Sequence, residues 1–415
     1  MLGNIRVVFL YPSLKVGGVE LLFYRLAKKL INKGVKVAVV DYKNGFLIQE
    51  LKNDKYVFDE LIYEKSKVKL GHEDILLCPL SLITFFEKYV SPCQSTKICF
   101  WDLHPFNLIE NTIFSLFYKR NPDLFLKRVL RIFDFFRVEH LKKICTNASH
   151  ANSLFFMCGS NFNYNNNFFK FSFDPDFLPI TIPFFESENK RLFKKVRVDA
   201  EGLNIGWLGR LDNDKINMLN NLLRDVDDYA KYSSKKIVFF VIGDGDSSSN
   251  VMEPCNFRIV FLGKVDDKDI DRICLENIDF GFAVGTSAFE FAARGVPTAV
   301  LDGRYMRNLG NNGIYLPVNS LMNYDVSLDH NIYEKKLYSF AEIIERLDED
   351  YDYASNVSRD HVYENHSTNV QFLNFVERLY NISYDYRSFK YDSKGFIGFM
   401  SVMTYGLKKF VMKIR

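Results

Sequence analysis

The stretch Ile5–Val40, IRVVFLYPSLKVGGVELLFYRLAKKLINKGVKVAVV, decides the fold of this 415-residue chain. Its beginning, Ile5–Tyr11, is a mostly apolar run typical of parallel strands that are buried on both faces. Val19–Lys33 has leucines four residues apart, which predicts an amphipathic helix, and Gly34 is a good helix terminator. Val35–Val40 predicts the next buried strand. Strand, glycine turn, helix and strand together make one βαβ unit of a Rossmann-type domain.

The rest of the chain continues this α/β pattern in two halves, although no repeat is visible in the sequence. In the first half we predict strands at Ile75–Cys78, Lys97–Trp101 and Ile144–Thr146, a largely helical segment at Asn107–Lys143, and an aperiodic Asn-rich stretch at Asn161–Asn167. In the second half we predict strands at 203–208, 236–242, 259–262, 280–283 and 298–301, and helices at 216–232 and 288–294. Thr368 and Gln371 have the spacing of a capping box for a last helix that runs to about Tyr380.

The length of the chain indicates two domains. We predict an N-terminal Rossmann-like domain at 1–185, a linker at 186–202, a C-terminal Rossmann-like domain at 203–380 and a basic C-terminal segment at 381–415. The expected fold class is α/β, with the parallel sheets of the two domains facing a central cleft.

Composition and charge exclude several classes of protein. Apolar residues make up 47% and charged residues 25% of the chain, the profile of a soluble globular protein with an ample core. A net charge of +3 without a nucleic-acid-binding module gives no support for a nucleic-acid partner. The seven cysteines are scattered and form no CxxC pair, so we expect reduced thiols, a cytoplasmic location and no structural zinc. The N-terminus is too strand-like for a signal peptide, and no apolar run reaches the roughly 18 residues that span a bilayer.

Ligands of two-domain α/β proteins bind at the carboxyl ends of the strands. We therefore take the candidate binding residues from the loops that follow the predicted strands. One loop holds Gly17 and Gly18, where backbone N–H groups and a helix N-terminus favour a phosphate or a sugar. A plain tight turn is an equally good interpretation of these two glycines.

A second loop, GRLDNDK, begins at Gly209 and contains Arg210 and Lys215, two cations able to neutralise a diphosphate leaving group. The alternative is a solvated loop with internal partners, Asp212 and Asp214. Gly243 then opens a Gly-Asp-Gly-Asp stretch whose aspartates resemble a metal-binding DxD motif. No second carboxylate cluster supports a metal there, so we interpret the stretch as a glycine turn.

A third loop, GTSAFE at Gly285–Glu290, is the most informative, because a strand ends and a helix begins at once. Thr286 and Ser287 offer hydroxyls and backbone amides to a phosphate, and Glu290 can accept hydrogen bonds from ribose hydroxyls. The alternative is that Ser287 is a plain N-cap and that Glu290 only complements the helix dipole.

A fourth loop, WDLHPF, carries a histidine directly after a predicted strand. His104 can hydrogen-bond a donor sugar or stabilise developing charge, although a lone histidine is as often structural. Asp102 is expected either to orient His104 or to contact the acceptor.

Taken in order, GGVE, GRLDNDK, VIGDG and GTSAFEFAARGVP resemble the signature elements of the retaining GT-B glycosyltransferases of family 4, and they span nearly the whole chain. Gly295 and Pro297 fall where that family has its glycine and proline. The resemblance implies that the second domain binds a nucleotide sugar, with Arg210 and Lys215 on the diphosphate and Glu290 on the ribose. It also implies that the first domain binds the acceptor, with Gly18 near the phosphate and His104 as the active-site histidine.

The resemblance further implies front-face transfer with retention, without a metal or any other cofactor. One departure matters, since the family's first glutamate, which contacts the donor sugar, falls at position 282, where this chain has Phe282. We interpret the GTS loop as a variant in which backbone amides serve the donor, and a weakened or inactive enzyme is the alternative.

Two basic and aromatic segments suit the surface of an anionic membrane. The segment 385–415 has seven Lys and Arg against two Asp, and Leu126–Lys143 has six Lys and Arg among its phenylalanines. Ordinary helices, the last one packed on the first domain, are the alternative. With membrane contact, the acceptor would be a lipid-linked sugar used in surface-polysaccharide or lipopolysaccharide assembly, on the cytoplasmic face of the inner membrane.

Three rival functions fit parts of the sequence. A nucleotide-sugar epimerase on the same fold needs acid–base carboxylates that we cannot identify. A dinucleotide dehydrogenase lacks GxGxxG in its first turn, and Asp41 alone is weak support. A non-catalytic protein that binds a nucleotide sugar or a partner enzyme stays open because of Phe282.

Overall fold

The computed structural model describes residues 5–14, 17–64, 66–112, 124–182, 202–301, 314–326 and 337–394. The chain divides into two compact units. The first consists of Met1–Ile180 and Phe372–Arg415, and the second of Thr181–Gln371. Of the predicted linker at 186–202, only Gly202 lies within the described residues.

The first unit is built on a parallel six-stranded sheet. The strands of the whole unit are β1 (Arg6–Leu10), β2 (Lys36–Asp41), β3 (Asp59–Ile62), β4 (Val68–Leu70), β5 (Asp74–Pro79), β6 (Val90–Pro92), β7 (Lys97–Asp102) and β8 (Leu154–Phe156). The order of the main sheet is β3-β2-β1-β5-β7-β8, and β4 and β6 form a separate parallel pair. The helices α1 (Gly18–Asn32), α2 (Phe46–Asn53), α3 (Leu124–His150) and α4 (Gly159–Phe169) belong to this unit.

Two predictions for this unit are wrong. The strand predicted at Ile144–Thr146 lies inside α3, because Leu141, Cys145 and Ala148 are buried at helical spacing and turn one face to the core. The Asn-rich stretch predicted to be aperiodic lies inside α4, where tertiary hydrogen bonds of its asparagines outweigh their low helix propensity. Of the predicted helical segment at 107–143, residues 107–112 form turns and a short 3-10 helix, 113–123 lie outside the described residues and the rest belongs to α3.

The second unit has the same layered architecture. Its strands are β9 (Gly202–Leu208), β10 (Lys236–Ile242), β11 (Arg258–Gly263), β12 (Phe280–Ala283), β13 (Thr298–Leu301) and β14 (Tyr315–Pro317). The order is β11-β10-β9-β12-β13-β14, parallel except for the pair of β13 with β14. The helices are α5 (Asn213–Ala230), α6 (Asp267–Asn277), α7 (Thr286–Ala293), α8 (Phe340–Glu349) and α9 (Tyr351–His366). The prediction of two Rossmann-like α/β domains is confirmed.

Helix α10 (Thr368–Asn381) begins in the second unit and ends in the first. The predicted capping box is wrong, because the Thr368 hydroxyl donates to Ile182 O at 2.7 Å, while the Ser367 hydroxyl accepts the Asn369 N–H. Our predicted boundary lay after residue 380, whereas the division falls before Phe372. The ring of Phe375 stacks on Trp101 at 6.3 Å, which draws the later turns of α10 onto the first unit.

The last described helix, α11 (Tyr386–Asp392), packs on α3 in the first unit. The Asp392 carboxylate is buried and accepts hydrogen bonds from Asn147 Nδ2 and from the Tyr384 hydroxyl, each at 2.8 Å. The Phe389 ring lies 4.8 Å from that of Phe86 in the same core. The segment 381–394 is therefore an integral part of the first unit, and residues 395–415 lie outside the described residues.

Candidate functional site

The sheet of the second unit changes direction at β9. The chain runs from β9 outward to β10 and β11, and then returns to the other side of β9 with β12. Loops that follow β9 and β12 therefore leave the sheet in opposite directions, which opens a crevice at the carboxyl ends of these two strands. Gly209 follows β9 and Gly285 lies two residues beyond β12, so the sequence-predicted donor loops flank this switch point.

The loop after β9 is tied to the loop after β10. Gly209 N–H donates to Ile242 O and Leu211 N–H donates to Asp244 O, both at 3.0 Å. Gly243 has φ +136°, and a Cβ there would lie 2.0 Å from Gly209 O. The close approach of the two backbones requires glycine at position 243, which agrees with the predicted glycine turn. The two hydrogen bonds between the loops hold the loop that carries Arg210.

Arg210 projects from this loop. Its guanidinium Nη1 lies 2.9 Å from Asp212 Oδ2, and its side chain is 61% exposed. An exposed pair of this kind contributes about 0–1 kcal/mol, so a phosphate can replace the aspartate at little cost. Lys215 is half-buried in the first turn of α5, and its N–H donates to Asp212 O at 2.9 Å. The solvated-loop alternative thus agrees with the Arg210–Asp212 pair, and the exposure of Arg210 is also compatible with binding of a phosphate.

The N-terminus of α7 supplies the other side of the switch point. Gly285 precedes it with φ +71°, a left-handed conformation that favours glycine, and its N–H donates to Val326 O at 2.9 Å. Gly285 is itself the N-cap residue, and no side chain of the described residues caps this helix. Thr286 and Ser287 are half-buried in the first turn. The plain N-cap role considered for Ser287 is therefore not the one it has.

Glu290 is held by a residue that the sequence analysis missed. The Arg294 guanidinium is only 8% exposed and donates through Nη1 to Glu290 Oε2 at 2.7 Å and through Nε to Asp271 Oδ1 at 2.6 Å. Burial alone lowers the pKa of Arg294, but the charge and hydrogen bond of Glu290 outweigh burial and raise it. An i,i+4 Glu–Arg spacing was visible in the sequence, whereas the contribution of Asp271 from α6 was not.

Three glycines fix α7 against the sheet. Gly206 and Gly281 are paired across β9 and β12, and a Cβ at either would approach the Phe291 ring to 3.0 Å or less. Gly295 has φ +71° and donates its N–H to Ala292 O at 2.9 Å, which ends the helix in a Schellman-type turn. Gly295, the second glycine of the GTSAFEFAARGVP element, is therefore a helix terminator.

Phe282 lies in the core of the second unit. It belongs to β12 opposite Trp207, is fully buried, and its ring lies 5.5 Å from those of Tyr315 and Phe340. Only Val284 and Gly285 separate β12 from α7. The side chain at position 282 thus points into the hydrophobic core of this unit and not into the loop between β12 and α7.

In the first unit, Gly17 and Gly18 follow β1, the strand at which this sheet changes direction. Gly17 is extended, with φ −147°, and a Cβ there would lie 2.8 Å from Oε2 of the buried Glu20. A Cβ at Gly18 would meet nothing within 4 Å among the described residues, and φ there is not positive. The fold therefore does not require glycine at position 18, so its role near a ligand stays a prediction.

Asp102 and His104 have different surroundings although they are two residues apart. Asp102 is fully buried, and its carboxylate accepts hydrogen bonds from Asn165 Nδ2 at 2.8 Å and from the His104 backbone N–H. Burial raises the pKa of Asp102 well above its usual range. His104 is exposed, and its Nδ1 accepts the Phe106 N–H at 3.2 Å. Asp102 thus orients the His104 loop through the backbone, and its carboxylate does not reach the surface.

Asp41 has a structural role in the first unit. Its buried carboxylate accepts the backbone N–H groups of Ser13 at 3.0 Å and of Tyr42 at 2.7 Å. Burial raises the pKa of Asp41 to about 6, against the effect of these hydrogen bonds. A carboxylate that is buried and accepts backbone hydrogen bonds in this way is not accessible to a ribose hydroxyl. This weakens the dehydrogenase interpretation.

Within the described ranges, no group of three or more His, Cys, Asp or Glu side chains is arranged to hold a metal ion. In the same part of the chain, no helix is both long and apolar enough to cross a membrane.

No protein-family model matches the chain, and no curated protein is detectably similar in sequence. Solved structures do match. Anabaena HepE in complex with UDP is 13% identical with a TM-score of 0.55, covering 91% of this chain and 100% of its own. A glycosyltransferase from Rickettsia africae is 14% identical with a TM-score of 0.53, covering 94% and 99%. A single-residue mutant of S. aureus TarM, in complex with fondaparinux, alpha-GlcNAc-glycerol and UDP, is 10% identical with a TM-score of 0.51, covering 90% and 99%. At these identities the likeness shows the fold, and the predicted GT-B type is confirmed.

Proposed function

We propose that the chain is a glycosyltransferase that moves a sugar from a UDP- or GDP-linked donor to a glycan or lipid-linked acceptor with retention. The observation that carries the proposal is the switch point of the second sheet, where Arg210 after β9 and the N-terminus of α7 after β12 flank one crevice. A cation and a helix N-terminus are the two features that bind a diphosphate. Likeness in fold to structures solved with UDP supports the same assignment.

On the donor side, Arg210 and Lys215 would neutralise the diphosphate as it leaves. The backbones of Gly209 and Gly285, with the hydroxyls of Thr286 and Ser287, would line the same crevice. Glu290, held by Arg294, would accept the ribose hydroxyls, since a carboxylate can accept more hydrogen bonds than the one guanidinium provides. Because cations and a helix end supply the positive charge, we expect no metal or other cofactor to be required.

On the acceptor side, His104 is the proposed active-site histidine. Its Nδ1 accepts a backbone N–H, so in the neutral ring the proton lies on Nε2, which could then donate to a sugar oxygen. Asp102 would act as a positioning residue through the His104 backbone. Gly17 and Gly18 would allow a ligand close approach to the start of α1. Front-face attack by the acceptor hydroxyl on the donor sugar is the proposed mechanism.

We expect Arg210→Ala to weaken UDP binding about 10- to 100-fold, because the loss of one charge-assisted hydrogen bond costs about 1.5–3 kcal/mol. A thermal-shift screen with UDP, GDP, CMP and their sugars would first choose the nucleotide, and calorimetric titration would then measure Kd. Arg272→Ala is the matched control, since Arg272 is an exposed arginine of the same unit that pairs with Asp269 at 3.3 Å. Equal affinities of the two variants would show that the donor site is misplaced.

Turnover separates transfer from binding alone. Release of UDP or GDP that depends on an added glycan acceptor would support the transferase. Tight nucleotide-sugar binding without acceptor-dependent release would favour the non-catalytic alternative, for which Phe282 and the two-residue link between β12 and α7 are the motivating observations.

We further propose that the protein works at the cytoplasmic face of the inner membrane in surface-polysaccharide synthesis. Phe135 and Phe136 on α3 are 57% and 72% exposed, and Lys143 on the same helix is exposed as well. Exposed aromatic rings beside cations suit the interface of an anionic membrane. The buried Arg137, by contrast, cannot contribute to such a surface.

We expect the chain to float with phosphatidylcholine vesicles that contain phosphatidylglycerol, and the double variant Phe135→Asp, Phe136→Asp to lose most of this binding. Phe261→Asp is the control, because Phe261 is 56% exposed on the second unit. A truncation after Lys394 tests residues 395–415 and spares Phe389, which a cut at Asp385 would remove from the core. Equal flotation of all variants, or none by the intact chain, would refute the proposal.

A further inference from the structure

Three tyrosines from separate stretches of the first unit meet at the carboxyl ends of β2 and β3. Tyr42 directly follows β2 and Tyr63 directly follows β3, and because Asp41 pairs with Ile62, the two tyrosines are next in register. Their ring centroids lie 6.3 Å apart. Tyr89, from the turn before β6, places its ring edge-to-face with Tyr63 at 5.0 Å.

The cluster has a polar side as well as aromatic faces. Burial, and after it the neighbouring Tyr89, raises the pKa of the Tyr42 hydroxyl. The exposed Lys88 places its Nζ 5.3 Å from the centroid of the Tyr89 ring. All three tyrosines are half-buried, so each is anchored by its neighbours and still has surface in contact with solvent.

We propose that Tyr42, Tyr63 and Tyr89 form a binding subsite for a pyranose oligosaccharide, here called the tyrosine subsite. A pyranose ring has an apolar C–H face and a rim of hydroxyls, and tyrosine has the complementary combination of an apolar ring and a polar tip. Lys88 adds a positive charge, so a sugar that carries a carboxylate or a phosphate binds more tightly.

The position of the subsite agrees with a role in acceptor binding. The carboxyl ends of β2 and β3 lie along the same edge of the parallel sheet as those of β1 and β7, which lead to Gly18 and His104. A chain of several sugars can extend along that edge, with its reacting end at the central strands and an earlier sugar on the tyrosines. The acceptor role rests on the proposed function, whereas oligosaccharide binding by itself does not.

Titration of the full chain with maltohexaose, cellohexaose and an oligogalacturonate, by calorimetry and ligand-observed NMR, tests the subsite. We expect at least one of the three to bind, and Tyr42→Ala and Tyr89→Ala each to weaken it about 3- to 10-fold, the effect of losing one stacked ring. Lys88→Ala should weaken only the oligogalacturonate. Tyr391→Ala is the matched control, because Tyr391 is a more exposed tyrosine of the same unit with Lys143 Nζ 5.2 Å from its ring centroid.

Absence of binding by all three oligosaccharides, or equal losses in Tyr42→Ala and Tyr391→Ala, would overturn the proposal. Tyr42→Phe keeps the ring and removes only the hydroxyl, so a smaller loss than in Tyr42→Ala supports stacking even if the alanine variant is less stable. Titration with UDP tests the donor site alone, so it separates the proposed glycosyltransferase from the tyrosine subsite. Oligosaccharide binding without sugar transfer would support the subsite and refute the glycosyltransferase. Sugar transfer with an unchanged acceptor KM in Tyr42→Ala would support the glycosyltransferase and refute an acceptor role of the subsite.

Discussion

Phe282→Glu is expected to destabilise the second unit by at least about 4 kcal/mol, and not to restore a missing catalytic glutamate. The substitution removes a ring packed between Tyr315 and Phe340 and places a carboxylate where the side chain is fully buried. Loss of a buried phenylalanine costs about 3–5 kcal/mol, and an unpaired buried carboxylate adds to it. Since folded domains are stable by about 5–15 kcal/mol, this loss removes a large share of the free energy of unfolding.

Chemical denaturation followed by circular dichroism would measure the change. The control is Phe261→Glu, the same substitution at an exposed phenylalanine in β11, the edge strand of the same sheet, which should change stability by less than about 1 kcal/mol. A stable Phe282→Glu variant with increased sugar transfer would show that position 282 does face the donor.

Arg294→Met is expected to destabilise the second unit by about 3–5 kcal/mol and to weaken UDP binding. The substitution leaves the carboxylates of Glu290 and Asp271 without the buried cation that both contact. Removal of one member of a buried ion pair costs this much because the remaining charges stay desolvated. Without Arg294, the Glu290 side chain also loses the contact that orients it.

Further variants separate positioning from stability. Asp271→Asn in the Arg294→Met background should recover part of the free energy of unfolding, because it removes one of the two carboxylate charges that Arg294 contacts, but should not recover nucleotide affinity. Arg294→Lys keeps the charge but cannot donate simultaneously in the two directions of the guanidinium, so we expect a folded protein with a raised Kd for UDP. Arg272→Met is the surface control. Normal UDP affinity in a folded Arg294→Lys variant would remove Arg294 from the donor site.

Much of the fold could be predicted because the relevant patterns are local. β10, β12 and β13 begin and end where the apolar runs predicted, since a parallel strand buried on both faces shows a short continuous apolar run. The strand predicted at Ile144–Thr146 is wrong, because so short a run also fits inside an amphipathic helix such as α3. The period of 3.6 residues becomes visible only over the longer segment that includes Leu141 and Ala148.

The candidate site was predicted only in part. Arg210, Lys215 and the loop Gly285–Glu290 could be proposed from the sequence because glycines, cations and hydroxyls directly after a strand form a sequence signal. Arg294 as the partner of Glu290 and Asn165 as the partner of Asp102 gave no comparable signal. Asn165 lies in α4, whose Asn161 and Asn165 side chains donate hydrogen bonds to Asp102 at the end of the distant strand β7.

The sequence by itself determined the alternation of strands and helices, the division into two Rossmann-like halves and the loops that carry charged or glycine residues. Each is a property of a short segment, set by burial pattern and backbone preference. The tertiary structure alone decided that Phe282 points into the core, that Asp271 and Glu290 share one guanidinium, and that three tyrosines meet at one sheet edge. These depend on strand order and register, which bring together residues far apart in the chain.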